Sequence, residues 1–159
     1  MPTLFDQMPD MNQPECIRVI VNGTPVAKGR GRIGKPIITK KTGQKFTPVY
    51  TPVETRHYED RIRQAARCAI GDKEPVSGAV TVFVFIYLPI PKSMPKKYIA
   101  GAMDGLRRPE TKPDIDNYVK SALDGINKII IHDDNQVAEL HAFKHYADQP
   151  RMEIEVHPL

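Results

Sequence analysis

Gly78-Ala79-Val80-Thr81-Val82-Phe83-Val84-Phe85-Ile86-Tyr87-Leu88-Pro89 is the stretch on which the fold turns. Almost every residue from Ala79 to Leu88 is β-branched or aromatic, and the run lies between a glycine and a proline. Such a continuous apolar run predicts a central strand covered on both faces. Pro89 and Pro91 end it, because proline has no N–H for the next rung of a ladder. The longest apolar run, Val82 to Ile90, is too short to span a bilayer and is broken by Pro89, so a soluble, cytoplasmic protein without a membrane partner is expected.

Upstream, Ile17 to Val21 reads as a strand closed by the turn signal Asn22-Gly23. A helix follows, with Thr51 as N-cap, Pro52 at its first position and Glu54 completing a capping box. Tyr58, Ile62, Ala65, Ala66, Ala69 and Ile70 recur at helical spacing, and Gly71 provides the stop. Downstream, residues 92–113 form a long connection in which Met94, Tyr98, Ile99 and Met103 suit a short helix. A second main helix is predicted from about Ile115 to Lys128, with Ile115, Val119, Ala122, Leu123, Ile126 and Ile129 on one stripe. Gln136 to Phe143 and Arg151 to Val156 read as two more strands joined across Ala147 to Pro150. Together these predict a single α+β domain, a mixed, mostly antiparallel sheet packed against two main helices. It occupies residues 16–159, after a flexible tail at 1–15 that has no apolar signal-peptide core.

The chain carries 23 Lys and Arg against 19 Asp and Glu, a formal charge of +4. That balance excludes little, but its distribution is uneven. Lys28, Arg30, Arg32, Lys35, Lys40, Lys41 and Lys45 follow one another with no acidic residue between them. The segment reads either as a phosphate-attracting patch or as a solvated basic loop. Arg56, Arg63 and Arg67 on the first helix and the Arg107-Arg108 pair offer further cations. Cys16 and Cys68 stand far apart, a spacing that supports neither a disulfide scaffold nor a zinc site.

The chemistry concentrates in Lys112-Pro113-Asp114-Ile115-Asp116-Asn117-Tyr118-Val119-Lys120 and, further on, Asp133-Asp134. Asp114 is either the N-cap of the second helix or the last residue of an extended arm, and Asp116 falls in the first turn. Aspartates there also suit the helix dipole for stability alone. If Asp114, Asp116 and Asp134, with Asp133 beside it, gather at one place, their mutual repulsion calls for a hard cation, Mg2+ or Mn2+. Lys120, one turn after Asp116, is either an i,i+4 ion-pair partner or the group that meets a scissile phosphate. Asp124 competes for the same lysine.

The ordered set Asp114-Ile115-Asp116-Asn117, Lys120, Asp124, then His132-Asp133-Asp134 before a strand, resembles the RusA family of Holliday junction resolvases. The Pro25-Val26-Ala27-Lys28-Gly29-Arg30-Gly31-Arg32 segment is similar to phage-associated members, and the match extends over residues 17–156. The resemblance implies a RusA-like fold and a homodimer that uses Mg2+ or Mn2+. It implies paired symmetric nicks in four-way DNA junctions, leaving 5′-phosphate and 3′-hydroxyl ends. By position it puts the essential carboxylates on Asp114, Asp116 and Asp134 and the essential lysine on Lys120, with Asp133 a further metal neighbour. Lys28, Arg30, Arg32, Lys35, Arg107 and Arg108 are the candidate DNA contacts. Two alternatives remain: a broader branched-DNA nuclease, and a DNA-binding accessory protein whose acidic residues merely cap a helix.

Overall fold

A computed structural model describes residues 16–159; the expected tail at 1–15 lies outside them. In chain order the elements are β1 (Ile17–Asn22), four two-residue strands, β2 (Arg32–Ile33), β3 (Ile37–Ile38), β4 (Lys45–Phe46) and β5 (Val49–Tyr50), α1 (Val53–Ile70), β6 (Val80–Pro89), α2 (Lys96–Met103), α3 (Ile115–Ile126), β7 (Val137–Ala147) and β8 (Arg151–Pro158). The four long strands form one mixed sheet in the order β1-β8-β6-β7. β8 is antiparallel to both β1 and β6, whereas β7 runs parallel to β6. A parallel partner needs a long crossover, and residues 90–136, carrying α2 and α3, supply it.

Alternation along β6 builds the core. Val80, Val82, Val84 and Ile86 point to the face that α1 and α3 cover, where they meet Tyr58, Ile62, Ala66, Tyr118, Ala122 and Ile126. Burying each large aliphatic side chain there contributes about 1.5–3 kcal/mol. The two helices touch closely at Gly125, where an added Cβ would lie 2.5 Å from Ile62 Cβ. Glycine is therefore required by packing at that position.

Among the described residues, no helix covers β6 on the opposite face. There Thr81 and Phe83 are buried. Phe83 stacks on His141 at 4.7 Å, Phe85 on Phe143 at 5.2 Å and Tyr87 on His145 at 5.7 Å, while Arg151 sits 3.9 Å over the Tyr87 ring. The expected two-sided cover of this strand is thus a helical layer on one side and cross-strand aromatic rows on the other.

Two local expectations are corrected. Pro52 has extended backbone (ψ 143°) and is itself the N-cap of α1, with no side-chain cap, so the Thr51–Glu54 box does not form. α3 stops at Ile126 rather than Lys128, which takes left-handed backbone at φ 64°. Tyr118 and Gly125 join its buried stripe, while Ile115 stays exposed. β7 and β8 are joined across 148–150, as expected, and β6 lies between them in the sheet. The short link passes over the end of β6, where Pro89 has already closed that strand.

Gly71, at φ 60°, ends α1 by donating its N–H to Arg67 O, as expected. The basic segment forms a small ribbon: β2 pairs with β5, and β3 pairs with β4 around the Thr39–Gly43 turn.

Candidate active site

Asp114 stands at the N-cap of α3 with extended backbone (φ −69°, ψ 150°), and its side chain makes no capping hydrogen bond. Its carboxylate is therefore not spent on the helix, although it lies where the helix dipole favours negative charge. Lys144 Nζ, from β7, donates to Thr111 O at 2.8 Å and Pro113 O at 3.0 Å and so anchors the arm that delivers Asp114. Sequence reading missed this lysine; inside a strand run, nothing marks it. Asp114 borders two clefts of about 420 Å3 each, one with Arg108, Glu110 and Lys144, the other with Lys28, Arg30 and Lys112.

Asp116, in the first turn, pairs with Lys120 at 3.3 Å, and both side chains are about 60% exposed. An exposed pair of this kind is worth only about 0.3–0.5 kcal/mol, so Lys120 can leave it for a phosphate at small cost. Asp124 does not compete for Lys120. It pairs instead with Lys28, whose ammonium also lies 3.3 Å from Glu59 Oε1. Burial works against the Lys28 charge, but Asp124 and Glu59 outweigh it and raise its pKa. With its N–H donated to Asn117 O, Lys28 clamps the base of the basic ribbon onto α3. Arg30, Arg32 and Lys35 stay exposed on that ribbon, as do Arg107 and Arg108 beside α3.

The second acidic pair lies beyond the far end of α3. Gln136 Oε1 accepts the N–H groups of His132 and Asp133, and its Nε2 donates to Val76 O and Gly78 O. That side chain pins the turn to the chain leading into β6. Asp133-x-x-Gln136 is capping-box spacing, the signal that would have found it. Asp133 also lies 3.8 Å from Lys128 Nζ, leaving Asp134 as the exposed carboxylate of the two.

These two groups are well separated in one chain. α3 has 12 residues, about 18 Å of helix. Asp114 sits by Lys144, whereas Asp134 precedes Val137, and those strand positions are about 23 Å apart. Among the described residues, the metal-ligating side chains gather in threes at one place only: Cys16, Glu155 and His157. The expected convergence of Asp114, Asp116 and Asp134 is not met within a single chain.

The Cys16–Glu155–His157 cluster lies where β1 starts and β8 ends. Cys16 Sγ is 3.4 Å from His157 Nε2, which is 3.4 Å from Glu155 Oε2. Arg18 holds the other oxygen of Glu155 with Nε at 2.7 Å and with Nη2, and its pKa is raised by that hydrogen bond. Burial, and then the charge of Glu155, pushes the Cys16 thiol up. Cysteine spacing could not reveal this donor set, because 141 residues separate Cys16 from His157. The cluster is able to coordinate a divalent metal.

A mixed sheet, a helix opening on two aspartates, the first unused as a cap, and a cationic ribbon beside it suit a nucleic-acid-cleaving class of protein. The comparisons make that specific. The family model described as "Endodeoxyribonuclease RusA" matches residues 22–157. A Bacillus subtilis (strain 168) protein, "Uncharacterized protein YqaN", is 37% identical over 147 residues, covering 88% of this chain and 94% of its own length. The chain belongs to the RusA family and is an endodeoxyribonuclease. No described helix is long and apolar enough to cross a membrane.

Proposed function

We propose that this protein is a homodimeric Holliday junction resolvase dependent on Mg2+ or Mn2+, with Asp114, Asp116, Lys120 and Asp134 as its catalytic residues. The observation that carries this reading is the position of Asp114 and Asp116 at the start of α3, with the Asp114 side chain unused as a cap, in a chain matched to RusA over residues 22–157. The donor set fits a hard ion, since these side chains offer carboxylate oxygens alone. When bound, such an ion supplies Lewis acidity and a readily deprotonated water. Asp114 and Asp116 orient it, and Asp133 lies beside Asp134 as a further oxygen donor. Lys120 Nζ holds the scissile phosphate and balances the charge that develops as water adds to phosphorus. Breakage of the P–O3′ bond leaves a 5′-phosphate, while the departing oxygen takes a proton to become the 3′-hydroxyl.

The distance between the two acidic groups supports a site shared between copies. Among the described residues β7 is an edge strand, bonded to β6 alone, and Asp114 and Asp134 lie toward its opposite ends. A two-fold axis through the middle of β7 brings Asp134 of one copy beside Asp114 and Asp116 of the other. Two such centres suit paired, symmetric cuts. Arg30, Arg32 and Lys35, with Arg107 and Arg108, would hold the junction backbone, and Lys28 would fix the base of the first group.

The test is cleavage of a synthetic four-way junction in Mg2+. The wild type is expected to nick it symmetrically. Asp116→Asn and Lys120→Ala are expected to bind the junction but cut at least about a hundred-fold more slowly. Equal rates on junctions, flaps and forks would make it a broader branched-DNA nuclease, and absence of metal-dependent cutting on all three would overturn the assignment.

A further inference from the structure

The cluster at the start of β1 and the end of β8 is separate from the carboxylate centre and is made of different donors. Glu155 is fully buried and His157 is 3% exposed. The ligand atoms of Cys16, Glu155 and His157 all lie within 4.8 Å of one another. Sulfur and carboxylate oxygen approach the same ring nitrogen, each at 3.4 Å. A nucleophilic Cys–His–acid relay would use the two different ring nitrogens, and one Nε2–H cannot serve both neighbours. Three donors converging on one point is instead the arrangement of ligands around a cation.

The spacing suits zinc. Zn–S of about 2.3 Å and Zn–N and Zn–O of about 2.0–2.2 Å give tetrahedral edges of about 3.5 Å for S···N and about 3.3–3.4 Å for N···O. The 3.4 Å separations match both edges. Thiolate, imidazole and carboxylate together suit a borderline ion and disfavour magnesium. The surroundings fit as well. Arg18 grips the far oxygen of Glu155 and leaves Oε2 available, and Phe83 meets the His157 ring edge-on at 5.4 Å and fixes its orientation.

The geometry points to a zinc site formed by Cys16 Sγ, Glu155 Oε2 and His157 Nε2, with the fourth position open to water, tying the start of β1 to the end of β8. Binding releases the thiol proton of Cys16 to solvent and involves no redox change. This site is independent of the nuclease reading.

Cobalt(II) substitution in the full-length protein tests it. The expected result is one thiolate-bound cobalt per chain, with a thiolate-to-cobalt charge-transfer band and tetrahedral visible bands that zinc abolishes and magnesium does not. Cys16→Ser should remove the charge-transfer band and His157→Gln should weaken binding at least ten-fold, whereas Cys68→Ser should leave the spectrum unchanged. No band in the wild type, or a band that survives Cys16→Ser, would overturn the site. A second measurement needs no variant: zinc should slow alkylation of Cys16 at least ten-fold and leave Cys68, which is exposed, unaffected. Equal reactivity of Cys16 with and without zinc would count against it as decisively.

Discussion

Asp114 and Asp116 stand two residues apart, yet their local environments differ. Asp114 ends an extended arm held by Lys144, while Asp116 lies on the helix and shares an exposed ion pair with Lys120. The arm and the helix start were both legible in the sequence, because proline biases the preceding residue away from helix and aspartate favours the N-cap. The inward turn of Lys28 was not, since nothing in a run of cations shows which one finds Asp124 and Glu59. His145 offers a residue-scale check of the open sheet face. Burial, and secondarily Arg108, holds its pKa below the ordinary 6.5. The unfolded chain then binds the proton first, so this histidine's contribution to stability is complete above pH 6.5 and is lost as pH falls toward the lower folded value. An NMR titration should give His145 a midpoint below 6.5, and Arg108→Ala should raise it only in part, because burial remains. A midpoint at or above 6.5 would contradict this account of the β6–β7 face.

Helices α1 and α3 were readable from their periodicity, and β6 from its composition. What periodicity does not encode is which strand neighbours which. β7 and β8 were expected to follow one another across a short link, and they do, but the apolar β6 takes the place between them and satisfies one edge of each. The α1 cap failed for a related reason: Pro52 suits either the first helical position or the residue just outside, and here it adopts extended backbone. Contact between α1 and α3 rests on Gly125. Gly125→Ala should lower stability by about 1–3 kcal/mol in urea unfolding, the usual cost of overpacking, because the added methyl meets the fully buried Ile62. A change below about 0.5 kcal/mol would show that the helices sit further apart than described.

For the whole molecule, the mild net charge matters less than the placement of charge around α3. The cationic ribbon and Arg107-Arg108 lie toward the Asp114 end, while Asp134 lies beyond the other. The sequence named the candidate carboxylates, but their separation along α3 and β7 exists only in the folded chain. The account's central claim is that two copies share two centres, each drawing Asp114 and Asp116 from one chain and Asp134 from its partner. The direct measurement is cleavage of a supercoiled cruciform plasmid by dimers formed from Asp116→Asn chains and Asp134→Asn chains, neither of which cuts alone. In the mixed dimer one centre collects both substitutions and the other collects none, so nicked circles should appear without linear product. If the mixed dimer is as inactive as either parent, while wild type linearises the plasmid, each centre belongs to a single chain and the claim is wrong.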